Sequence, residues 1–164
     1  MKKFAAIAFA MGLSGLSVAA QAERIAVVDI KKVFDAYNGT AAAKATLKQK
    51  VDDEKGALER EKDALDKEAS DLEGKKSVLT DEKYQQEAER LQVKGKALQD
   101  KFQSVTNQLQ QEEAEQTSQI VDLIKEAVAK VAKRDKYDLV FEASNLLYGG
   151  DDITASAIEE VNKQ

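Results

Sequence analysis

The chain has 164 residues, with no Pro, Cys or His, 34% charged residues, 5% aromatics and a formal net charge of −5. That composition excludes disulfide frameworks, Cys/His zinc sites, thiol nucleophiles and Ser-His-Asp triads. The acidic balance argues against nonspecific nucleic-acid binding, which needs cations to displace counterions from phosphates, while abundant charge without proline suits long exposed helices.

Residues 1–22, MKKFAAIAFAMGLSGLSVAAQA, combine Lys2 and Lys3, an apolar run from Phe4 to Leu13 and a small-residue end at Ala20-Gln21-Ala22. This is the layout of a cleaved signal peptide, and its apolar core is too short to span a bilayer. No cysteine follows for lipid attachment, so a soluble periplasmic product is expected. Loss of the two lysines lowers the mature charge to −7.

Arg24 to Ile30 is a β-branched run of strand type. Lys31 to Tyr37 then sets Val33, Phe34 and Tyr37 at helical spacing before Asn38-Gly39, and Thr40 reads as the N-cap of the next helix. From there to about residue 133 the pattern is helical, with one break at Ser77–Thr80, where Thr80 can cap a helix led by Asp81 and Glu82.

Heptads support a hairpin at that break. Val51, Leu58, Leu65, Leu72 and Leu79 recur every seven residues, and Tyr84, Ala88, Leu91, Gly95, Leu98, Phe102, Val105 and Leu109 alternate by four and three. The expected arm seam contains Val51, Leu58, Leu65, Leu72, Leu91, Leu98, Phe102, Val105 and Leu109, with Leu72 facing Leu91, Leu65 facing Leu98 and Leu58 facing Val105. Apolar side chains are sparse along it, so the arms should be thin and mobile.

After the polar stretch Gln110–Gln119, apolarity rises through Ile120, Val121, Leu123, Ile124, Ala127, Val128 and Val131. Tyr137 to Ala143 reads as a strand, Leu146 to Tyr148 as a second, and Gly149-Gly150-Asp151-Asp152 as a turn whose last residue caps a helix with Ile153, Ala157, Ile158 and Val161. The domain expectation is a body from 23–39 and 120–164, with an arm at 40–119. Those two body segments total 62 residues, too few for a secure core without oligomerisation. The expected oligomerisation set is Ile25, Val27, Ile120, Ile124, Val128, Leu139 and Phe141.

These features resemble the Skp (OmpH) family of trimeric periplasmic chaperones. The resemblance rests on the leader, IAVVD at Ile25 to Asp29, KKVFDAY at Lys31 to Tyr37, the heptad hairpin, YDLVFEA, LLY, and DITASAIEEVN from Asp152 to Asn162. It implies an α+β fold: a small β-containing trimerisation body, a long antiparallel coiled-coil hairpin and a C-terminal helix. It further implies a homotrimer that holds unfolded outer-membrane β-barrel proteins between its arms without ATP. A cationic lipopolysaccharide site associated with the family does not carry over, because residues 40–119 hold 14 basic and 18 acidic residues. Membrane contact is expected to be weak or absent.

No G-x-x-x-x-G-K-[ST] or G-x-G-x-x-G phosphate cradle occurs. Asp151-Asp152 lacks the spaced oxygen ligands of a calcium loop, and the acidic arm residues read as solvated faces. The expectation is therefore no enzyme, cofactor or metal. The competing reading is a structural coiled-coil spacer or adaptor of the cell envelope.

Overall fold

A computed structural model describes residues 23–163, so the signal peptide read at residues 1–22 lies outside the described residues. The first element, β1, spans Ile25–Val28, and its pleat buries Ala26 and Val28 while leaving Ile25 exposed. It is the central strand of a three-stranded sheet ordered β2-β1-β3, with β2 at Leu139–Glu142 and β3 at Asp151–Asp152. Both pairings are parallel: Ile25 lies opposite Leu139, Val27 opposite Phe141, and Val27 also opposite Asp152.

Parallel neighbours need a long crossover, and between β1 and β2 that crossover is the arm itself. After β1 the short helix α1, Ile30–Ala36, is capped by Asp29, whose carboxylate accepts the Lys32 N–H at 2.9 Å. That bond is the chief reason the Asp29 pKa lies below its ordinary value. The outgoing arm helix α2 spans Asn38–Gly74, and the returning helix α3 runs unbroken over Asp81–Asp135. At 1.5 Å per residue α3 is about 80 Å long, enough to form one side of the arm and then enter the body.

The expected break is present. Gly74 ends α2, residues 75–80 make the turn, and Thr80 Oγ1 accepts the Lys83 N–H at 3.4 Å. Asp81 and Glu82 at the start of α3, with Lys133 and Arg134 at its end, complement the helix dipole.

All buried apolar side chains among the described residues lie in the body. Ala26 and Val28 from β1 and Val33 from α1 meet Ile120, Ile124, Ala127, Val128 and Val131 from α3. The cluster is completed by Ile153 and by Ala157 and Val161 of the final helix α4, Thr154–Val161. Asp152 accepts the Thr154 N–H at 2.9 Å, and Thr154 Oγ1 accepts the Asp29 N–H at 3.0 Å, so α4 is tied to the end of β1.

The structure departs from three local expectations. Leu146–Tyr148 is not a strand, whereas Asp151–Asp152, read as part of a turn, is β3. Gly149 and Gly150, at φ +90° and +88°, redirect the backbone so that the two aspartates reach the free edge of β1. A Cβ on Gly150 would meet Val27 Cγ1 at 3.0 Å, so this approach requires glycine. Thr40 is not an N-cap either. Helix α2 already begins at Asn38, and Thr40 is buried within its first turn.

Candidate functional site

The two arm helices meet along the leucine positions counted in the sequence, but none of these side chains is fully buried. Leu65 and Leu98 border one concavity, and Leu72 and Leu91 another nearer the tip, in the expected facing order. A two-helix seam has solvent on both flanks. The flanks differ.

One flank is bridged by charge. Lys94 Nζ donates to Glu68 Oε2 at 2.5 Å, and Lys101 donates to Glu61 one heptad further from the tip. Glu61 and Glu68 are seven residues apart, as are Lys94 and Lys101, so antiparallel helices bring both pairs to the same face. Closer to the body, Lys50 donates to Glu112; that bond and a second from Gln108 hold the Glu112 pKa below its ordinary value. This ionic series has the same seven-residue period as the apolar heptads but leaves no mark in a pattern of apolar residues alone. Exposed pairs contribute at most about 1 kcal/mol each, so their chief effects are to set register and line this flank with polar groups.

The opposite flank opens into an apolar groove of about 430 Å³, walled by Val51 and Leu58 on α2 and by Leu98, Phe102, Val105 and Leu109 on α3. Its rim carries Glu54, Lys55, Glu59 and Lys62, two charges of each sign. Helical periodicity separates the flanks: Lys55, Glu59 and Lys62 lie on one side of the Leu58–Leu65 line, and Glu61, Ala64 and Glu68 on the other. Thr106 Oγ1 donates to the Phe102 carbonyl at 2.9 Å, which satisfies its hydroxyl within the groove wall. Phe102, expected inside the seam, is 60% exposed, and Val51 is 39% exposed. The helix pair is too narrow to cover a large ring at that level.

The body residues singled out for oligomerisation divide into two groups. Ile120, Ile124 and Val128 are buried in the core of their own chain. Ile25, Val27, Leu139 and Phe141 lie on the opposite sheet face, since Ala26 and Val28 take the inward positions and the register aligns Ile25 with Leu139 and Val27 with Phe141. Ile25, Leu139 and Phe141 are all exposed, and the following loop adds Leu147 and Tyr148, the latter 95% exposed.

The walls of the groove are saturated or aromatic carbon and offer adhesion. Among the described residues no group of three or more Asp or Glu is placed to hold a metal ion, and no helix is long and apolar enough to cross a membrane.

A small α+β body that splits its sheet around a long antiparallel helical hairpin defines a distinct structural class. A family model described as outer membrane protein (OmpH-like) matches residues 24–161, and the chain belongs to that family. The crystal structure of an OmpH-like protein from Caulobacter crescentus CB15, provisionally named an outer membrane chaperone, has the same fold. Its TM-score is 0.80 at 21% identity, covering 87% of this chain and 85% of that one. No curated protein sequence matches significantly.

Proposed function

We propose that this chain is an ATP-independent holdase chaperone of the periplasm, and that it binds unfolded outer-membrane β-barrel proteins between helical arms and prevents their aggregation. The observation that carries the reading is the open apolar groove around Phe102 on a hairpin with no fully buried seam residue. An unfolded client presents scattered apolar side chains, and several such grooves can hold many of them weakly without demanding one sequence. The rim charges are balanced and the arm is acidic overall, so this reading includes no nucleic-acid partner and little membrane contact. Enzymatic turnover and cofactors have no part in it.

The working unit in this reading is a homotrimer, with residues 23–39 and 120–164 as its body and 40–119 as each arm. Parallel sheets are normally covered on both faces. Here α1, α3 and α4 cover one, while Ile25, Val27, Leu139 and Phe141 leave the other apolar and open. Neighbouring copies supply the cover, and Leu147 and Tyr148 extend the same contact. Three subunits, rather than another number, rest on the family resemblance.

The decisive experiment dilutes a urea-unfolded β-barrel protein into buffer with stoichiometric mature protein and follows light scattering. Suppressed aggregation without ATP is expected. A spacer or adaptor would leave the scattering unchanged, and that result would sink the holdase reading.

A further inference from the structure

We infer that Asn162 is a positioning residue that fixes the direction in which the arm leaves the body. The arm's two helices are attached differently. Helix α3 passes from arm to core without interruption, whereas α2 starts anew after Tyr37, which sits at φ −76° and ψ 126° and provides no side-chain cap bond. The leading N–H groups of a helix have no partner within it.

That of Asn38 is accepted by Asn162 Oδ1 at 2.9 Å, across 124 residues of sequence. The same side chain donates from Nδ2 to the Ala36 carbonyl at 3.3 Å and to the Ile158 carbonyl at 3.0 Å. One acceptor and two donors of a single carboxamide therefore serve the start of α2, the end of α1 and the last turn of α4. A hydroxyl has one donor, a carboxylate none, so no other side chain of this length can make all three bonds.

The next residues add no comparable polar hold. Gly39 N–H has no partner among the described residues, and Thr40 is 2% exposed with its Oγ1 unpartnered. Thr40 also lines a cavity of about 230 Å³ at the arm root, together with Ala43, Lys44, Gln116 and Thr117. The first turn of α2 is thus packed at Thr40 without a side-chain hydrogen bond there, and its polar tie to the rest of the body is the one from Asn162. Helix α2 is a lever about 55 Å long, so a 10° slip at Asn38 would carry the tip roughly 10 Å.

The test uses the full mature oligomer. The chain lacks cysteine, so spin labels at V78C on the exposed tip and A155C on the body, diluted among unlabelled chains, report one tip-to-body distance distribution. Amide exchange is followed at Asn38 and, as a body reference, at Ile153, whose N–H donates to the Val27 carbonyl. Asn162→Ala should speed Asn38 exchange at least tenfold, leave Ile153 within twofold and broaden the distance distribution. Asn162→Asp retains the acceptor but neither donor, so it should restore Asn38 protection while leaving the distance distribution broader than in the unaltered protein. An unchanged distribution in Asn162→Ala, or equal acceleration at Asn38 and Ile153, would overturn the assignment. Should Asn162→Ala fail to fold, the unaltered protein still decides: Asn38 should exchange at least tenfold more slowly than Gly39, and equal rates would refute the clasp.

Discussion

Ile25 and Leu139, 114 residues apart in sequence, are direct partners on adjacent parallel strands, and both are exposed on the sheet face that their own chain leaves uncovered. With Val27 and Phe141 beside them they form an apolar surface that a solitary chain would present to water. Removing such a surface from water favours association by roughly 25 cal/mol per Å².

Disrupting that surface should therefore dissociate the protein. Phe141→Ser is expected to convert the proposed trimer to a smaller species in sedimentation at micromolar concentration, and the unaltered protein should melt at higher temperature as its concentration rises. A monomeric unaltered protein whose melting point ignores dilution would contradict the assembly.

On the holdase reading, Phe102 allows client contact to be separated from folding. Its ring is mostly exposed, so Phe102→Ala should shift melting only slightly, yet weaken client capture between about threefold and tenfold, or about 0.7 to 1.4 kcal/mol. Helicity serves as the control. Unaltered affinity at unaltered helicity would remove Phe102 from the binding surface.

Salt tests the nature of the capture. The arm region carries 14 basic and 18 acidic residues, leaving no long-range attraction for an acidic client. Affinity for a net-negative unfolded β-barrel protein should stay flat or improve slightly from low to physiological ionic strength. A tenfold loss, about 1.4 kcal/mol, would demand a local basic site.

Core and arm should respond unequally to truncation. Ile124 is fully buried, so Ile124→Ala is expected to destabilise by about 2 to 5 kcal/mol. Leu65→Ala removes a half-buried side chain and should cost less, roughly 1 to 2 kcal/mol. Denaturant titration of both variants checks the ranking, and a larger loss at Leu65 would place the stabilising core in the arm.

Acid should loosen the joint between β1, α1 and α4. Asp29 is lowered below its ordinary pKa of 3.8 mainly by the Lys32 N–H, and Asp152 mainly by hydrogen bonding to the Thr154 side chain and then its N–H. A depressed folded pKa gives stability that is fully present above the unfolded value and is lost as pH falls through the lower folded value. Melting temperature should thus hold steady down to about pH 5 and fall below about pH 4. The double variant Asp29→Asn and Asp152→Asn, which keeps acceptors that do not titrate, should flatten that fall; an identical acid profile would assign the titration elsewhere.

The amino-acid sequence by itself determined the hairpin, its break before Thr80, and the apolar stripe beginning at Ile120, because helical periodicity and capping are written within a few turns of chain. It also placed β1 and the helix beginning near Asp152. The ionic flank was legible in the same heptads, through Glu61 with Glu68 and Lys94 with Lys101, once charges are counted alongside leucines. Tertiary structure alone decided that Asp151–Asp152 forms a strand while Leu146–Tyr148 does not. Aspartate has little intrinsic preference for strands, and this pairing depends on two left-handed glycines and a β1 edge more than a hundred residues away. It also decided that Phe102 faces a groove, that Thr40 is buried within α2, and that Asn162 supplies the bond to the start of that helix. Local sequence encodes which residues can make a helix or strand, but the partner at an exposed edge, an open flank or an orphaned amide is chosen only when distant segments meet.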